Sequence, residues 1–73
     1  MLSNEFDYEE VKKSDKFGIK YYKDAVYRGE IDNKKREGRG VIAYKNGRIY
    51  EGEWKRDKRD GKGYEKFANE NTY

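Results

Sequence analysis

The 73-residue chain contains neither cysteine nor histidine. Lack of thiols rules out a disulfide framework and a cysteine metal site, and it agrees with an intracellular protein. Lack of both residues removes the usual base and the most reactive nucleophile of acyl-transfer enzymes. The hydroxyls other than those of tyrosine belong to Ser3, Ser14 and Thr72, none of them in a nucleophile elbow. No apolar run approaches the roughly 18 residues of a membrane span. The start Met1-Leu2-Ser3-Asn4-Glu5 is not a basic segment followed by an apolar one, as a signal peptide would be. A soluble, cytoplasmic chain without a targeting segment is expected. Charge of one sign is missing too, since 18 basic and 15 acidic residues leave a net +3. That mixed surface argues against a nucleic-acid partner.

What the chain does have is charge and aromatic rings. Charged residues make up 45% of it, and eight Tyr, three Phe and one Trp are more rings than disordered segments carry. Those rings need a surface to pack on, yet 33% hydrophobic residues in so short a chain cannot build a thick core. A thin layer is expected, with part of its stability coming from a partner.

Comparing the sequence with itself at an offset of 23 residues exposes a repeat. Tyr27-Arg28-Gly29-Glu30-Ile31 aligns with Tyr50-Glu51-Gly52-Glu53-Trp54, and Lys35-Arg36-Glu37-Gly38-Arg39-Gly40 aligns with Lys58-Arg59-Asp60-Gly61-Lys62-Gly63. Tyr44 then meets Phe67 and Asn46 meets Asn69, while Tyr73 falls where a third copy would begin. Stepping backwards, Tyr21 and Val26 take the places of Tyr44 and Ile49, in a half-copy one residue short. The expected organisation is a lead over residues 1–16, helical or disordered, a half-repeat over 17–26, and repeats over 27–49 and 50–72. Within the lead, Leu2, Phe6 and Val11 are the apolar points.

Asn46-Gly47 between Tyr44 and Ile49 predicts a type I′ turn joining strands 40–44 and 49–54. The charged stretch Asp32 to Glu37 has no apolar period and is expected to be a loop. Strand, loop, strand and tight turn in succession give an all-β antiparallel meander, with further strands at 17–21, 26–31 and 63–67. Alternation places Tyr50, Gly52 and Trp54 on one face and Glu51 and Glu53 on the other, and places Tyr27, Gly29 and Ile31 opposite Arg28 and Glu30. Glycine weakens a strand, but it also opens a slot in which an aromatic ring can lie against backbone.

Tyr50-Glu51-Gly52-Glu53-Trp54-Lys55 followed by Lys58-Arg59 and Gly61-Lys62-Gly63 resembles the MORN repeat. The resemblance covers Phe17 to Tyr73 and is strongest from Tyr27 to Phe67. It implies a single-layer, twisted sheet of stacked hairpins whose grooved aromatic face binds a partner helix or peptide or mediates dimerisation, as in cytoskeletal or ciliary scaffolds. Three positions depart from the pattern. Lys34 and Asp57 stand where a glycine is usual, Glu37 and Asp60 where a histidine is usual, and Ile31 where a tryptophan is usual.

Candidate partner-binding residues are Tyr27, Ile31, Ile42, Tyr44, Tyr50, Trp54 and Phe67, with Trp54 at the centre because a large ring on an open layer has one side free. Gly29, Gly38, Gly40, Asn46, Gly47, Gly52, Gly61 and Gly63 are expected to be structural. Lys34, Lys35, Arg36, Lys55, Arg56, Lys58 and Arg59 recur at the repeat period and are candidate contacts to an anionic membrane surface. Set against that, basic residues also protect sheet edges from aggregation. Glu51 and Glu53 share the outer face of one strand among Lys and Arg, which fits a solvated surface better than a catalytic pair. Asp57-Lys58-Arg59-Asp60 interrupts its acids with cations, so a calcium loop is not expected. Gly38-Arg39-Gly40 and Gly61-Lys62-Gly63 lack the following helix or Gly-Lys-Ser/Thr of a phosphate loop. No cofactor or metal and no catalysis are expected. The favoured reading is a protein-interaction or self-associating scaffold module. Membrane binding comes second and a single-strand nucleic-acid platform third, because glutamates in every repeat strand oppose the last.

Overall fold

Alternating side chains and hairpin-length spacings produce one open sheet in the computed structural model, which describes residues 6–67. Five antiparallel strands run in sequence order, each paired with the next. They are β1 (Phe17–Tyr22), β2 (Ala25–Asp32), β3 (Lys35–Tyr44), β4 (Arg48–Lys55) and β5 (Lys58–Phe67). A single turn of helix, α1 (Tyr8–Val11), precedes them. Leu2, Asn69 and Tyr73, and with them the end of the second repeat, lie outside the described residues.

The lead is thus helical over α1. Asp7 caps it by accepting hydrogen bonds from the backbone N–H groups of Glu9 (3.0 Å) and Glu10 (3.4 Å). Val11 is buried, α1 packs against β3, and the Tyr8 ring meets Phe17 edge-on at 6.3 Å.

Two hairpin connections differ from expectation. The segment Asp32 to Glu37 is not a loop: Asn33 and Lys34 alone form the turn, and β3 already begins at Lys35. Both residues have positive φ (53° and 66°), and Arg56 and Asp57 repeat this at 52° and 71° in the β4–β5 turn. Two successive left-handed residues make the type I′ geometry, and here it is held without glycine. Conversely, Asn46-Gly47 is not a type I′ turn. The loop is Lys45-Asn46-Gly47, closed by the Gly47 N–H to the Tyr44 carbonyl at 3.0 Å, with only Gly47 left-handed (φ 99°). Asn46 contributes its side chain, which accepts from the Arg48 N–H at 2.9 Å.

The turn after β1 has only two residues, Lys23 and Asp24, because Tyr22 pairs with Ala25. The missing residue therefore falls in the turn, and Tyr22 rather than Tyr21 takes the place of Tyr44. Tyr21 points to the opposite face and is 75% exposed.

Register then aligns one glycine from every strand. Gly18 pairs with Gly29, Gly29 with Gly40, Gly40 with Gly52, and Gly52 with Gly63, so a glycine column crosses the sheet. On the front face the row beside it is Lys20, Tyr27, Ile42, Tyr50 and Glu65. The rear face is not uniformly charged: Tyr21, Val26, Ala43 and Ile49 line up across it before Lys66.

Candidate functional site

The front face is built by rings laid over the glycine column. A Cβ on Gly40 would collide with the Tyr27 ring and hydroxyl, and one on Gly63 would collide with those of Tyr50. Only a bare backbone lets each ring lie flat there. The Tyr27 hydroxyl donates to the Glu30 carbonyl at 2.8 Å, and the Tyr50 hydroxyl donates to that of Glu53 at 3.4 Å. Burial pushes the Tyr27 hydroxyl well above the usual phenol range, with Glu30 adding to the shift and Arg36 opposing it. The Tyr50 hydroxyl is raised for the same reason, with Arg59 opposing.

Trp54 stands between the two tyrosines. Its ring is 5.3 Å from each, nearly perpendicular at 81° to Tyr27 and 87° to Tyr50, and its indole N–H donates to the Gly40 carbonyl at 3.2 Å. The free side expected for it is absent: Trp54 is 4% exposed, and the Arg36 guanidinium lies 4.5 Å over the ring. Arg36 is held there by the β4–β5 turn, its Nε donating to Asp57 Oδ1 and its Nη2 to the Asp57 carbonyl, both at 2.7 Å. The Arg36 backbone N–H also donates to Asp57 Oδ1 (3.1 Å). The hydrogen bond from the Arg36 side chain holds the Asp57 carboxyl below the usual carboxylate range.

The sequence-derived candidates therefore divide. Tyr27, Ile42, Tyr50 and Trp54, with Ala25, form one buried cluster, against which Ile31 and Tyr44 are partly packed. Tyr44 and Phe67 flank it with solvent access, Phe67 being 44% exposed. Tyr22, missed by the 23-residue offset, joins them by register at the end of the sheet that carries the Lys45–Gly47 loop, with its ring reaching back to the Arg36 guanidinium at 5.1 Å. The Gly18-to-Gly40 correspondence would have located it. Arg36 and Arg59 leave the basic row for the front face, where Arg59 sits 4.2 Å over the Tyr50 ring. Lys34, Lys35, Lys55, Arg56 and Lys58 remain exposed around the two type I′ turns. No group of three or more potential metal ligands occurs among the described residues.

A single-layer sheet of tandem hairpins, floored by glycine and capped by aromatic rings, defines a repeat-built module. The family model of the MORN repeat matches residues 27–47 and 50–72, well over half of the chain, and the chain belongs to that family. No curated protein matches it. MORN repeats are non-enzymatic modules that bind proteins or membranes. No helix among the described residues is long and apolar enough to cross a membrane.

Proposed function

We propose that the chain is a scaffolding module whose front face receives a partner helix or extended peptide. The observation that carries this reading is the marginal row of Tyr22, Tyr44 and Phe67, three partly exposed rings beside the buried Tyr27–Trp54–Tyr50 cluster. Aromatic side chains that pack on one side and face water on the other suit an interface. In this reading Trp54 stiffens the floor, and Tyr44 and Phe67 make the contacts. A cytoskeletal or ciliary setting follows from the family resemblance.

The test is selection of peptides from a displayed library against the whole chain. Amphipathic binders are expected, and their affinity should fall at least tenfold for the double substitution Tyr44→Ala and Phe67→Ala. Binders indifferent to that double variant would refute the reading.

A second reading rests on the exposed Lys34, Lys35, Lys55, Arg56 and Lys58, which both type I′ turns present at one edge of the sheet. Such a row fits anionic headgroups. Co-sedimentation with phosphatidylserine vesicles should then weaken with salt and with Lys55→Glu plus Arg56→Glu.

A further inference from the structure

The rings of the front face are overlaid by cations. Lys20 Nζ lies 5.8 Å over the Tyr22 ring, and Arg36 lies 5.1 Å over the same ring while it stacks on Trp54. Arg59 lies 4.2 Å over Tyr50, and Arg48 lies 5.4 Å over Phe67. Among the described residues these cations meet two carboxylates. Asp57 takes Arg36 at 2.7 Å, whereas Arg48 and Arg59 converge on the same oxygen, Glu65 Oε2, at 3.6 and 3.3 Å. Lys20 donates to a neutral group, the Lys34 carbonyl, at 2.8 Å.

A guanidinium laid on a ring uses its flat face and keeps its in-plane N–H groups for an acceptor. At Arg36 those groups are spent on the Asp57 carboxylate and carbonyl. At Arg48 they are not. Its contact with Glu65 is well beyond the roughly 2.8 Å of a charge-assisted hydrogen bond, and its side chain is 46% exposed. Arg48 also stands where the first repeat has Ala25, so its charge is no part of what stacks one hairpin on the next. Because β4 lies between β3 and β5, Arg48 stands between Tyr44, at the end of β3, and Phe67, its cross-strand partner on β5.

We infer that the partner received by the front face is an acidic amphipathic segment, an inference that rests on the reading of that face as a partner site. Its apolar side chains pack on Tyr44 and Phe67, and a carboxylate between them takes the N–H groups of Arg48. A second carboxylate meets the ammonium of Lys20 beside Tyr22. Two strand spacings put Tyr44 and Phe67 about 10 Å apart, so apolar, acidic and apolar contacts alternate over a distance that one peptide segment spans. Complementary charge of this kind selects the partner and speeds its encounter more than it adds to affinity.

The probes are two synthetic amphipathic peptides with the same leucine and phenylalanine positions, one carrying glutamate and the other glutamine at the remaining positions. Each is titrated into the isotope-labelled whole chain and followed by NMR. Saturable shifts at Tyr44, Arg48 and Phe67 are expected with the glutamate peptide, and binding at least tenfold weaker with the glutamine one. Added salt should narrow that difference. Arg48→Gln should weaken the glutamate peptide severalfold, leave the glutamine peptide as it was and leave heat unfolding unchanged. Lys55→Gln makes the same change of net charge at an exposed site away from these rings, and it should alter neither peptide. Equal affinity for the two peptides, or an equal loss in Lys55→Gln, would overturn the inference while the partner-binding reading stands. No saturable shift with either peptide, or shifts at these residues from phosphatidylserine vesicles alone, would sink both.

Discussion

The two repeats share their tyrosine, arginine and glycine positions in the same register, yet among the described residues the first is covered by a following strand and the second is not. Tyr27 is fully buried with a 2.8 Å hydroxyl hydrogen bond, whereas the Tyr50 counterpart is stretched to 3.4 Å. Arg36 is anchored by a neighbouring turn, and Arg59 improvises with a glutamate of its own strand. The difference shows that a repeat of this kind is completed by the strand that follows it. Trp54 belongs to the second copy in sequence, but it closes the core of the first. Stability should accordingly fall from β3 toward β5, as expected for a one-dimensional array whose units are stabilised by neighbours.

The largest effect expected is at the shared residue. Trp54→Ala removes a ring that touches both tyrosines and supports Arg36, and such truncations cost about 3–5 kcal/mol. In a sheet this thin that should abolish the cooperative melt seen by circular dichroism. Trp54→Phe should cost about 1–2 kcal/mol, because the edge-on packing survives while the Gly40 carbonyl loses its donor. If the phenylalanine variant were as damaged as the alanine one, the indole hydrogen bond would matter more than the packing.

Next come the glycines that floor the two tyrosines. Gly40→Ala must expel a fully buried ring from the middle of the sheet, and about 3 kcal/mol of destabilisation is expected. Gly63→Ala meets Tyr50 at the outer strand, where backbone and ring have more room to shift, and about 1 kcal/mol is expected. Equal losses in urea melts would contradict the gradient between the repeats.

Much of this was legible in the sequence, and what was not has local physical causes. Alternation put Tyr27, Gly29, Tyr50, Gly52 and Trp54 on one face because a strand allows no other arrangement. The slot reading of the glycines followed from the missing Cβ. The hairpin turns are not legible because the type I′ geometry sits on Asn33-Lys34 and Arg56-Asp57, none of which advertises it as glycine does. The first half of β5 lies outside the expected strand 63–67 for a related reason: Lys58 to Gly63 is exposed throughout, so pairing with β4 holds it and burial leaves no apolar period. The cover on Trp54 is not legible because it comes from Arg36, a residue whose charge suggests solvent rather than packing. Its flat, weakly hydrated guanidinium serves here as packing material.

Changing pH should separate the repeats from the alkaline side. Tyr27 has its hydroxyl raised far above the ordinary phenol pKa of about 10, so the folded state favours the neutral form. A raised folded pKa contributes stability that is complete below the unfolded value and is lost as pH climbs through it. Destabilisation should therefore set in above about pH 10 and be smaller in Tyr27→Phe, which lacks the ionisable group. The same substitution at Tyr50 should blunt the alkaline loss less, since burial raises its hydroxyl too but the ring is less completely buried than that of Tyr27.

The smallest expected effect concerns the two ion pairs. Asp57 accepts from both the backbone and the guanidinium of Arg36, and Asp57→Asn should cost about 1 kcal/mol once its partial exposure is allowed for. Glu65→Gln, on the improvised pair of Arg59, should cost no more than about 0.5 kcal/mol. The Asp57 carboxyl is held below its ordinary value, so its contribution is present above the unfolded pKa of about 4 and disappears as pH falls through the folded one. The melting temperatures of the wild type and Asp57→Asn should converge in that acid window. A Glu65→Gln loss as large as that of Asp57→Asn would mean that Arg59 is already locked, and the second repeat would then be as complete as the first.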